Sequence, residues 1–138
     1  MKKLFLFLAV VTAIISFSSC SSDDSPNFKI SALEIVGAEF PDAFELNETY
    51  TIDVSYLRSD DCTFFEGFDV VKENDTIRNI AVIGSIITDD SDCTEITEAT
   101  KASFKFTVLY SGTYLFKFLT GQNQDGEAEF LEIEVPVN

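Results

Sequence analysis

Tyr50-Thr51-Ile52-Asp53-Val54-Ser55-Tyr56 alternates apolar and polar side chains without a break. Successive side chains of a strand point to opposite faces, so this period of two describes a strand with one face buried and one wet. The same period returns in Phe104-Lys105-Phe106-Thr107-Val108, in Tyr114 to Leu119 and in Leu131-Glu132-Ile133-Glu134-Val135. Phe28 to Val36 is a first apolar run, and Pro41, Asn47 and Glu48 punctuate the stretch between it and Tyr50. Phe64 to Val71 is another run, ended by the turn-forming Lys72-Glu73-Asn74-Asp75, and Thr76 to Ile87 is rich in β-branched residues. No stretch carries the 3.6-residue period of an amphipathic helix. The pattern predicts an all-β, antiparallel sandwich of about seven strands over residues 28–138.

The N-terminus has a different character. Met1-Lys2-Lys3 is basic, Leu4 to Phe17 is uncharged and largely apolar, and Ser18-Ser19 precede Cys20. A basic start, a short apolar core and small residues before a cut describe a secretory signal, here residues 1–19. A membrane-spanning helix needs about 20 apolar residues, which this segment lacks. Phe17-Ser18-Ser19-Cys20 resembles the lipobox of bacterial lipoproteins, with Phe17 where leucine is usual. The resemblance implies a lipid on Cys20, with residues 20–27 as a polar tether and an outer-membrane, cell-surface location. Ser21-Ser22-Asp23-Asp24 resembles the acidic tether that sends some lipoproteins to the cell surface, and it also fits a plain solvated linker.

The chain of 138 residues holds 24 acidic and 9 basic residues. Cleavage after residue 19 removes Lys2 and Lys3 and leaves 7 basic against 24 acidic, a net charge of −17. Such a surface repels phosphate backbones, which excludes nucleic acid as a partner. There is no His and no Trp. The usual general base, the commonest transition-metal ligand and the best aromatic platform for a sugar are therefore missing. No nucleophile elbow, phosphate loop or dinucleotide fingerprint is present. The expectation is a protein without enzymatic activity or cofactor.

Cys62 and Cys93 remain beside Cys20. Outside the cytoplasm an even pair is most economically a disulfide. A thiolate site is the alternative, but such sites recruit His or further Cys.

Tyr110-Ser111-Gly112-Thr113-Tyr114, the alternating strand after it, the Gly121–Gly126 loop and Glu129 to Val135 resemble the last hairpin of bacterial immunoglobulin-like domains. Gly112 to Tyr114 corresponds there to the approach to the penultimate strand, where a tyrosine corner sits. Neither cysteine lies on the strands that carry the inter-sheet disulfide of antibody domains. In immunoglobulin order, Cys62 falls in the B–C connection and Cys93 in the D–E connection. The resemblance implies that these loops share one end with the start of strand A. The tether and the disulfide would then share a pole.

Four features are candidate sites. Asp60, Asp61, Asp89, Asp90, Asp92 and Glu95 surround the two cysteines and are weak ligands for calcium, or simply solvated turn formers. Phe65, beside Phe64 and Phe68, is the member of that cluster expected to be exposed, because alternation buries Phe64 with Phe68. Ile80 to Ile87 is apolar on both faces, with Ile80, Val82 and Ile86 on one and Ala81, Ile83 and Ile87 on the other. With Phe65, the Ile80, Val82 and Ile86 set is the candidate contact for a protein or glycan partner. Asp75-Thr76-Ile77 resembles a three-residue O-glycosylation site, with Thr76 as acceptor. Together these readings predict a lipid-anchored binding or accessory module. A structural envelope lipoprotein, or a calcium- or glycan-binding module, is the alternative.

Overall fold

A computed structural model describes residues 27–89, 92–96 and 98–138. The signal, Cys20, the tether up to Pro26 and Asp90 lie outside the described residues. The elements are β1 (Phe28–Leu33), β2 (Ile35–Glu39), β3 (Thr49–Tyr56), β4 (Thr63–Lys72), β5 (Ile77–Ile87), β6 (Thr100–Thr107), β7 (Tyr114–Gln122) and β8 (Ala128–Val135). They form a three-stranded sheet, β2-β3-β6, and a five-stranded sheet made of β1, β4, β5, β7 and β8.

The two-layer all-β expectation holds, with two differences of detail. The first apolar run is two strands, so the count is eight. Leu33 and Ile35 are both buried while Glu34 between them is exposed. The chain crosses from one sheet to the other at Glu34, whose carbonyl accepts the Leu57 N–H at 2.9 Å. Second, the pairing is not antiparallel throughout. β4 covers one edge of β5, while the other edge is shared by β1, along Val82–Ile87, and β7, along Ile77–Ile80. β5 therefore lies between β4 and β7 and runs parallel to β7, because β6 makes the return passage in the opposite sheet.

The inner faces meet in an aromatic core. Ile52, Val54 and Tyr56 of β3 oppose Ile80 and Val82 of β5 and Tyr114, Phe116 and Phe118 of β7, all nearly or fully buried. Phe44, from the β2–β3 connection, plugs one end. Its N–H bonds the Pro136 carbonyl, its carbonyl accepts the Asn138 N–H, and its ring lies 4.7 Å from Tyr50 and 5.7 Å from Phe106. Tyr114 opens β7, and its hydroxyl accepts the N–H groups of Leu109 and Tyr110 at 3.2 and 3.0 Å. A strand-opening tyrosine bonded back to the turn before it has the geometry of a tyrosine corner. Arg78 is buried at the same end over the Phe106 and Tyr114 rings. It donates to the carbonyls of Asn74, Asp75 and Ile77, which satisfy its desolvated guanidinium.

Candidate functional site

The strands define two poles. β3 and β5 run toward one of them, and β4 and β6 leave from it. The connection before β4 carries Cys62, the connection after β5 carries Cys93, and a disulfide joins them with Cα atoms 5.6 Å apart. Backbone contacts fasten the same two loops. Asp61 N–H bonds the Thr94 carbonyl at 3.0 Å, Ile96 N–H bonds the Ser59 carbonyl at 3.2 Å, and Asp60 and Glu95 form an antiparallel bridge. β1 begins here too. The Thr88 N–H bonds the Asn27 carbonyl at 2.9 Å, and the Asp89 carboxylate accepts the Asn27 N–H at 3.0 Å and its side-chain amide at 3.3 Å. Asn27, the first described residue, is thus clamped to the loop that holds Cys93.

Three acids at this pole, Asp60, Asp61 and Asp89, face protein donors. Asp60 accepts the hydroxyls of Thr63 and Ser59 at 2.8 and 2.9 Å. Those bonds, Thr63 foremost, hold its carboxyl below the usual carboxylate range. Asp61 accepts the Thr94 N–H at 2.7 Å, and Asp89 is taken by Asn27. Among the described residues, one set of three metal-ligating side chains has its donor atoms within 4.8 Å of one another: Asp61 with Cys62 and Cys93. The two sulfurs of that set are bonded to each other. Of the expected calcium ligands, Asp60, Asp61 and Asp89 each reach a neighbouring N–H or O–H, as turn-forming aspartates do, and Asp90 lies outside the described residues. Beside the loops lies an open cleft of about 590 Å³, bounded by Ala32–Glu34, Leu57–Ser59 and Glu95–Ile96. Arg58 at its wall is committed to the Thr63 carbonyl at 3.1 Å, and the Ser59 hydroxyl to Asp60 and Thr63.

The outer face of the five-stranded sheet is apolar over much of its area. Near the disulfide pole, Phe28 and Ile30 of β1, Phe64 of β4 and Ile87 of β5 surround a recess of about 310 Å³. The Ser85 hydroxyl at its floor donates to Glu66 at 2.5 Å. Further along, Val71, Ala81, Leu119 and Phe130 border a second recess of about 240 Å³.

Two expectations about this region are corrected. Phe64 is not buried with Phe68; it is 46% exposed on the outer face. A β-bulge at Glu66 inserts one residue, so that Phe65 pairs with Gly84 and Gly67 with Ile83. The bulge resets the alternation and puts Phe65 and Phe68 on the same side. Phe65 is 39% exposed, as expected, while one side of its ring leans on Tyr56 and Phe68, at 5.6 and 5.3 Å between ring centres. Ile80 and Val82 are not partner contacts but core, 1% and 0% exposed, and Ile86 is half-buried. Ala81, Ile83 and Ile87 form the outward series of β5. The signal for the exposed patch was in the sequence: Phe28-x-Ile30 alternates with the residues that lead to buried Leu33.

Thr76 lies at the opposite pole, half-buried in the β4–β5 turn. Its N–H bonds the Asn74 side chain at 2.9 Å and its carbonyl accepts the Leu115 N–H at 2.9 Å.

Comparison with known proteins adds no relative: no family model, no curated protein and no solved structure matches the chain.

Proposed function

We propose that the protein is a lipid-anchored module of a bacterial cell envelope, attached through Cys20 and acting by contact rather than by catalysis. The observation that carries the reading is the clamp of Asn27 beside the Cys62–Cys93 disulfide. A tether entering there leaves the far pole and most of both outer sheet faces clear of the membrane. The disulfide supports an oxidising compartment, because cytosolic thiols are kept reduced. The apolar core and basic start of residues 1–19 supply the route to that compartment, and Ser18-Ser19-Cys20 the attachment point. An extracellular location fits the acidic surface, which needs no counter-charged partner to stay soluble.

Fractionation of cells making the wild-type or Cys20→Ser protein tests the reading. The wild-type protein is expected in the membrane fraction, and protease added to intact cells is expected to cleave it. C20S is expected in the soluble or secreted fraction. C20S that stays with the membrane to the same extent as wild type would refute attachment at Cys20.

A further inference from the structure

The apolar patch on the five-stranded sheet is placed where a tether would hold it against a membrane. Phe28 is 65% exposed, Ile30 54% and Phe64 46%. Register makes them one surface: Phe28 lies opposite Ile87, and Ile30 and Phe64 flank Ser85 from either side. The patch is bordered by Glu66 and then Asp69 on β4, one and two outward positions further from the pole. Toward the pole, the Asp89 carboxylate is turned back onto Asn27.

We propose that Phe28, Ile30, Phe64 and Ile87 form a membrane-resting surface, entering the interfacial layer of the bilayer that holds the acyl chains on Cys20. The proposal rests on Cys20 being acylated. Chain length then fixes the occupant. Asn27 lies seven positions after Cys20, a span of at most about 25 Å when fully extended. The patch begins at the next residue, so the bilayer is always within its reach, at an effective concentration that no free partner matches. Two aromatic rings and two β-branched aliphatic side chains suit the boundary between headgroups and acyl chains, where apolar faces bury to a depth of about 5–10 Å. Charge selects the lipid. Asp60, Asp61 and Glu95 at the same pole outnumber the exposed Lys29 of β1 and repel anionic headgroups, so the surface fits a zwitterionic bilayer.

The absence of tryptophan makes a direct test available. Phe28→Trp places a single reporter in the patch, and Leu109→Trp places one at the far pole, where Leu109 is 61% exposed. Each mature, acylated variant is reconstituted into vesicles of phosphatidylcholine with or without bromine-labelled acyl chains. Quenching of F28W by the brominated lipid is expected to exceed that of L109W by about twofold or more, as a reporter within the interfacial layer requires. Adding Ile30→Ser and Phe64→Ser to F28W is expected to return quenching to the L109W level. Mass spectrometry of the same samples reads the acyl groups on Cys20. Equal quenching of F28W and L109W in acylated protein would overturn the resting surface and leave the anchor standing. Protein without acyl groups would overturn both. A blue-shifted F28W emission that brominated lipid does not quench would mean that protein, a second copy for example, covers the patch, and would overturn the proposal too.

Discussion

Tyr114 joins the core to the turn before it. Its ring is fully buried between Phe106 and Phe116, and its hydroxyl takes the two N–H groups of Leu109 and Tyr110. Tyr114→Phe keeps the ring and strands both donors. A loss of about 1 kcal/mol is expected, the net worth of a typical hydrogen bond, because the turn that carries the two donors is partly open to water. Urea unfolding reads it, and an unchanged midpoint would show that water replaces the hydroxyl. This residue was legible in sequence because a glycine two positions ahead, here Gly112 at φ 111°, marks the turn into the strand. Arg78 and Phe44 were not legible. One cation in an apolar strand carries no signal that three carbonyls will converge on it, and Phe44 stands in a loop with no period to reveal that it is core. Gly84 was equally silent: a Cβ there would lie 2.7 Å from the Leu33 side chain and 2.8 Å from the Phe64 carbonyl, a close approach set by β1 and β4 together.

The elements themselves were legible wherever one face was wet. β3, β6, β7 and β8 alternate in sequence as they do in space. The failures fall where the period breaks. The bulge at Glu66 moved Phe64 outward, the crossing at Glu34 split one run into two strands, and β5, apolar on both faces, gave no way to choose which face was inside. The parallel β5–β7 pairing depends on which sheet β6 joins, which local pattern does not encode. The loop pair around Cys62 and Cys93 was legible as a disulfide, whereas the backbone contacts around it were not. Closing a 31-residue separation is worth about 3.7 kcal/mol in the chain-entropy model. The Cys62→Ser, Cys93→Ser double variant is therefore expected to remain folded, held by the Asp61–Thr94 and Ser59–Ile96 contacts, but to unfold at markedly lower denaturant. Equal midpoints for the two proteins would show that the disulfide adds nothing to a loop pair already closed.

At the scale of the whole molecule, a few surface carboxylates and a lysine contribute a modest pH dependence to stability. The Thr63 and Ser59 hydroxyls hold Asp60, and Lys72 at 2.7 Å holds Asp75, below the ordinary carboxylate range; Asp75 in turn raises Lys72 above its own. A carboxyl lowered in the folded state stabilises at pH values above its unfolded pKa, and that contribution is lost as pH falls through the folded value. A raised lysine stabilises below its unfolded pKa and loses the contribution as pH rises through the folded one. These contributions are constant between the two ranges, with no histidine to interrupt them. Denaturant midpoints are expected to stay level across the neutral range, to fall below about pH 4 and to fall again above about pH 10.5. A steep change near pH 6 would contradict this. At the same scale, the start of β1, the disulfide and the exposed Phe28 patch share one pole.

The proposed anchor at Cys20 and the disulfide are tested most directly by the intact mass of the protein extracted from membranes, measured before and after reduction. The predicted result is a chain that begins at Cys20, carries the mass of acyl chains on that residue and gains two hydrogens when Cys62 and Cys93 are reduced. A chain that begins at any other residue, or a Cys20 without acyl groups, would contradict the account.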